Sequence, residues 1–145
     1  MQRVYSENTT YSSTTAAFTY GDAIPPNTGG TQIITATIAP LSSSNILRFT
    51  VNVPFANNVA CYTIIGLFQD STVNALAANV DVSDTADYMH NVPLFFEMAA
   101  GTTSSTTFKI RIGNNGCTTY INGNSSGRRF GGALRATMIV EELNP

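Results

Sequence analysis

The chain has 145 residues, of which 43% are hydrophobic and only 11% charged, with a formal net charge of −2. That length fits a single domain able to bury an ordinary core without a metal or disulfide staple. The seven basic residues are scattered, with Arg128 and Arg129 the only adjacent pair, and no apolar run approaches the ~20 residues of a spanning helix, so neither a nucleic acid nor a membrane is an expected partner.

Soluble domains are usually about a quarter charged. Here Ser, Thr and Asn stand in for the missing charge, and these residues suit strand faces and turns better than helix interiors. In chain order, residues 1–17 are polar with isolated apolar positions. They read as an extended N-terminal arm whose Arg3, Val4, Tyr5 and Tyr11 would lie on a neighbouring subunit, or else as a frayed terminus and an edge strand. Residues 18–145 read as one domain.

Period-two alternation marks the strands that follow. Ile34, Ala36 and Ile38 alternate with Ile33, Thr35 and Thr37. Leu47, Phe49, Val51, Val53 and Phe55 alternate with Ile46, Arg48, Thr50 and Asn52, and Phe108, Ile110 and Ile112 alternate with Thr107, Lys109 and Arg111. Each such strand has one face on a core and one face outward. Cys61–Phe68 and Val92–Met98 are instead apolar on both faces, with Phe95 and Phe96 adjacent. A strand of this kind lies in a sheet covered on both sides. The second cover is either a neighbouring subunit, the preferred reading, or a loop folded back. Ile24–Gly30, Ser42–Asn45, Asn57-Asn58, Asp70-Ser71, Gly113–Gly116 and Asn122–Gly127 supply turns. The count is about eight to ten strands, that of an antiparallel jelly-roll sandwich. Only Asn74–Ala78 leaves room for a helical turn.

Chemistry is sparse. The single histidine, His90, has no nucleophile at a telling spacing, so no catalytic residue is assigned. Two cysteines and one histidine do not make a zinc site. Asp81, Asp84 and Asp87 lack the glycine turn and added ligands of a calcium loop and read as solvated turn residues. No cofactor site is assigned either. Glu97, alone in an apolar strand, is either an outward residue or a buried partner for an arginine such as Arg111 or Arg135. Tyr120, Asn122, Asn124, Arg128 and Phe130 would make a sugar-binding patch, though subunit packing explains the same residues equally well. Met1–Tyr20 lacks the apolar stretch of an export signal. Cytosolic folding is therefore expected, with Cys61 and Cys117 as free thiols.

The stretch Thr107-Phe108-Lys109-Ile110-Arg111, Thr119-Tyr120-Ile121-Asn122-Gly123-Asn124, Arg129-Phe130-Gly131-Gly132 and Ala136–Glu141 resembles the carboxy-terminal signature of a family of phage and prophage virion proteins. That family is similar to the tumour-necrosis-factor and complement-C1q type of trimeric jelly roll. Upstream, Ile24–Thr28, Thr37–Pro40, Ser42–Val51 and Leu67–Ser71 also fit, so the likeness runs from about Phe18 onward. The resemblance implies a homotrimer in the virion, folded in a bacterial host's cytoplasm. Its role would be capsid decoration against a major capsid protein or, alternatively, a tail spike or fibre tip binding a host-surface receptor or glycan. It supplies no catalytic residue. Tyr62, Ile64, Phe68, Phe95, Tyr120, Arg129 and Phe130 are the expected subunit-interface residues.

Overall fold

The computed structural model describes residues 1–145. It is all-β, and its one helical element is the 3-10 turn Phe130–Gly132. The strands are β1 (Arg3–Asn8), β2 (Ser12–Thr14), β3 (Thr31–Ile38), β4 (Ile46–Asn57), β5 (Cys61–Gln69) and β6 (Ala77–Ser83). There follow β7 (His90–Ala99), β8 (Thr106–Asn114), β9 (Thr119–Ile121), β10 (Gly123–Asn124), β11 (Gly127–Arg128) and β12 (Ala136–Leu143). Asn74 makes a bridge to Pro26 and β6 begins at Ala77, so the sequence's one candidate helical turn is extended chain.

One sheet runs β1-β12-β4-β7, with β9 and β2 continuing it beside the far half of β4. The other runs β3-β8-β5-β6. With the short β2, β9, β10 and β11 set aside and the long strands ranked in chain order, the sheets read first-eighth-third-sixth and second-seventh-fourth-fifth. This is the antiparallel jelly roll expected from the alternation pattern.

Alternation builds the core. Leu47, Phe49, Val51 and Val53 of β4, Val92 and Leu94 of β7, and Met138 and Val140 of β12 face Ile34, Ile65, Leu67, Phe108 and Ile110 across the sandwich. At its centre Phe49 meets Phe108 edge to face, with ring centroids 4.7 Å apart. Each such buried side chain contributes roughly 1.5–3 kcal/mol of transfer free energy.

Residues 1–17 do not form an arm. Arg3–Asn8 pairs along its whole length with β12, and Ser12–Thr14 pairs with β9. The segment belongs to the sandwich as its first strand. Val4 packs against the core, and Tyr11 stacks parallel to Tyr120 while its hydroxyl donates to the Asn124 carbonyl at 2.8 Å.

A second correction concerns β5. Its outward face is covered from within the chain. Phe18, 2% exposed, joins Ile64 and Phe68 in a separate small core over the sheet. The backbone of 16–18 is bound to the end of β8, Phe18 N–H donating to Asn114 O at 3.0 Å and Asn114 N–H to Ala16 O at 3.1 Å. A β-carbon on Gly30 or Gly113 would come within 2.6 Å or 2.8 Å of the Phe18 ring, so these glycines form its socket. Gly30 also holds φ +62°, a conformation costly for other residues.

Candidate functional surfaces

The thiols expected to be free are joined: Cys61 and Cys117 form a disulfide, their Cα atoms 6.3 Å apart. The bond ties the start of β5 to the β8–β9 turn. Beside it lies a buried polar network. Thr119 Oγ1 donates to Asn57 Oδ1 at 2.8 Å, Asn57 Nδ2 to Thr63 Oγ1 at 2.9 Å, and Asn114 Nδ2 to Thr119 Oγ1 at 3.0 Å. Asn57, Thr63, Asn114 and Thr119 are all fully buried, and each finds partners there, as burial requires.

The titratable residues are dispersed into structural pairs. His90 Nδ1 lies 3.2 Å from Asp81 Oδ2 while its ring stacks on Phe55. Asp87 accepts from Ser125 N–H at 3.0 Å and Ser125 Oγ at 2.7 Å, and these bonds hold its carboxyl below the usual range. Asp81 and Asp87 thus serve separate partners, and no group of three His, Cys, Asp or Glu residues is placed to hold a metal. Glu97 pairs with Arg48, not with Arg111 or Arg135. Arg111 donates to the carbonyls of Gly29 and Gly30, clamping the loop that carries Phe18, and Arg135 pairs with Glu7 at 2.7 Å.

The expected sugar patch is not one surface. Asn122 is fully buried, and its Nδ2 donates to Asn8 O and Thr10 O. Arg129 reaches Asn124 Oδ1 at 2.7 Å, and Tyr120 lies beside Tyr11. Arg128 and Phe130 stay in solvent, Phe130 at 78% exposure and φ +55°. Of the expected interface residues, Ile64 and Phe68 are buried under Phe18 and Tyr62 is stacked on Tyr20 with centroids 3.9 Å apart. Phe95 stands free at 73% exposure, whereas Phe96 turns inward and packs on Phe49. Beside Tyr20 a shallow groove of about 220 Å³ is lined by Ile64, Ala78, Val80 and Pro25 and holds no charged side chain.

Three features carry the assembly of the fold without standing out in the sequence. First, side chains of β1 close one seam between the sheets: Ser6 Oγ donates to Thr35 O at 2.7 Å and Asn8 Nδ2 to Ile33 O at 2.9 Å. Second, β6 closes the other seam. Asn79 Nδ2 donates to Pro93 O while its Oδ1 takes the Val80 N–H, and Asp81 takes the Val82 N–H while meeting His90. Edge groups that would template another strand are thereby occupied. Third, Glu142 is an inward carboxylate at 1% exposure. Burial opposes its charge, but Asn45, Gln2 and the N–H groups of Leu41 and Ser42 together hold its pKa below the ordinary value. Its one signal is the alternation Ala136, Met138, Val140, Glu142, which puts it on the core face.

No protein-family model matches the chain, and no curated protein does. Among solved structures the chain is similar to one of the infectious bursal disease virus Gt strain, with 13% identity and a TM-score of 0.48. It is also similar to the infectious bursal disease virus VP2 subviral particle (14%, 0.45) and to the acetyl xylan esterase Est2A of the rumen bacterium Butyrivibrio proteoclasticus (11%, 0.32). Each likeness covers 99% of this chain, but only 37%, 37% and 34% of the respective structures, so the chain spans about a third of their length.

Proposed function

We propose that this chain is a non-enzymatic structural protein of a phage particle, a homotrimeric decoration protein that cements the major capsid protein of the head. The observation that carries the reading is the contrast between sealed strand edges and aromatic side chains left in solvent. Phe95 and Phe130, 73% and 78% exposed, are the two phenylalanines that the fold leaves largely in solvent. Exposed aromatics on a rigid frame suit contacts made by faces and loops. The sequence resemblance to virion jelly rolls over Thr106–Glu142 supports the viral setting and the trimer. Capsid binding would add stability to the shell by mass action.

Cys61–Cys117 fits this role in one further respect. Disulfides persist on virion surfaces and rarely in a reducing cytosol, so the bond closes once the particle meets an oxidising medium. Cryo-electron microscopy of the particle tests the proposal. Copies at the local three-fold positions of the head support it, and density confined to the tail defeats it.

A second reading, a tail spike or fibre tip binding a host-surface receptor, is favoured by Arg128 at the end of β11 and Phe130 in the 3-10 turn that follows, both exposed. It requires saturable binding to host cells that Arg128→Ala weakens.

A further inference from the structure

The outer face of the β1-β12-β4-β7 sheet carries a row of charges in register across all four strands. Arg3 lies opposite Glu141, Glu141 opposite Arg48, and Arg48 opposite Glu97. The signs alternate plus, minus, plus, minus. One step along the strands a second row runs Tyr5, Ile139, Thr50, Phe95, again in register. Its two ends are exposed aromatics, Tyr5 at 48% and Phe95 at 73%. On the other side of the charges lies a third row, Leu143, Ile46 and Ala99.

This pattern is complementary to itself. Consider a second copy laid face to face and related by a two-fold axis parallel to the strands, midway between β12 and β4. The axis reverses the order of the strands and keeps each row against its own counterpart. Arg3 then meets the second copy's Glu97 position, and Glu141 meets its Arg48 position, so all charges face opposite signs. In the neighbouring row Tyr5 meets the Phe95 position and Ile139 meets Thr50. A row reading plus, plus, minus, minus would also be complementary, whereas plus, minus, minus, plus would not.

We infer that this face is an isologous two-fold contact between copies of the chain. Cross-strand pairing within one chain accounts for the alternation of charge. Within the chain Tyr5 is held by Glu7, to which its hydroxyl donates at 2.8 Å, and by the Arg3 guanidinium over its ring. Phe95, at the opposite end of the row, stays 73% exposed, where a two-fold axis brings the two aromatics together. Sheets pack face to face at about 10 Å, a distance these side chains span.

Four strands about 4.8 Å apart and about six residues long make a face of roughly 19 by 20 Å. That is about 400 Å², well short of the ~800 Å² per partner of a stable complex. The contact is weak alone and gains its strength from repetition in a many-copy array, where neighbours are already held close. It takes up Phe95, which leaves Phe130 to the proposed trimer and capsid contacts.

Sedimentation equilibrium over a range of concentrations tests the inference, because the contact doubles mass: one chain to two, or three to six. Arg48→Glu sets a carboxylate against the second copy's Glu141 twice over, and the doubling step weakens by roughly tenfold or more. The double variant Arg48→Glu, Glu141→Arg converts the row to plus, plus, minus, minus and restores doubling, although it breaks the Arg48–Glu97 pair within each chain. Circular dichroism confirms folding of both. Absence of any doubling in the wild type up to millimolar concentration overturns the inference, and so does a double variant as weak as the single one. Failure of the trimer alone would leave a monomer–dimer equilibrium, whereas failure of this contact alone leaves trimers.

Discussion

The ring of Phe18 lies over that of Phe68, with centroids 6.4 Å apart and planes 14° from parallel. This one relationship explains how a strand apolar on both faces lives in a small sandwich. The loop before β3 folds back and supplies the second cover, while Phe95 and Phe130 stay in solvent.

Phe18→Ala removes that cover. Deleting a buried phenylalanine side chain costs about 3–5 kcal/mol, and the variant should unfold at correspondingly lower urea. It should also bind a hydrophobic dye through the uncovered Ile64 and Phe68. Unchanged stability would mean that the loop does not hold its place in solution.

Reduction of Cys61–Cys117 should lower the melting temperature. The bond closes a loop of 56 residues, for which the chain-entropy description gives at most about 4 kcal/mol. Cys61→Ser, Cys117→Ser should melt where the reduced protein does. A melting temperature indifferent to reductant would remove the bond's part in stability.

Acid should destabilise the fold, and Glu142 sets much of the dependence. Its folded pKa lies below the ordinary 4.5, so its contribution is fully present above that value and disappears as pH falls through the folded pKa. Glu7 and Asp87, held down by Arg135 and Ser125, act in the same direction. Glu142→Gln keeps the shape, loses the charge, and should flatten the stability curve below pH 5. An unaltered acid limb in this variant would show that the carboxylate is not the group responsible.

The seam between β1 and β3 should loosen in Asn8→Ala, which leaves the Ile33 carbonyl without its donor. A loss of about 1 kcal/mol is expected, with faster amide exchange in β1 than in β4. Equal exchange rates in wild type and variant would contradict the closure.

Legibility follows side-chain period. Strands β3, β4 and β8 are plain because Ile34, Phe49 and Phe108 recur on one face at every second residue. Strand β1 is hidden because Ser6 and Asn8 turn toward the seam to meet backbone carbonyls, so its inner face is polar and the alternation disappears. Phe18 gives no sign of its target, since the Gly30 and Gly113 that receive it are distant in sequence. Composition offers Glu97 the arginines 111 and 135, but register selects Arg48. The expectation of free cysteines rests on compartment, which says nothing about whether two Cα atoms come within bonding reach.

The most direct test of the proposed assembly is the mass of the protein in solution. Sedimentation equilibrium on the purified oxidised chain should give three chains per particle, or six where the two-fold contact also forms. A single-chain mass at every concentration, with Phe95 and Phe130 freely accessible, would contradict the account.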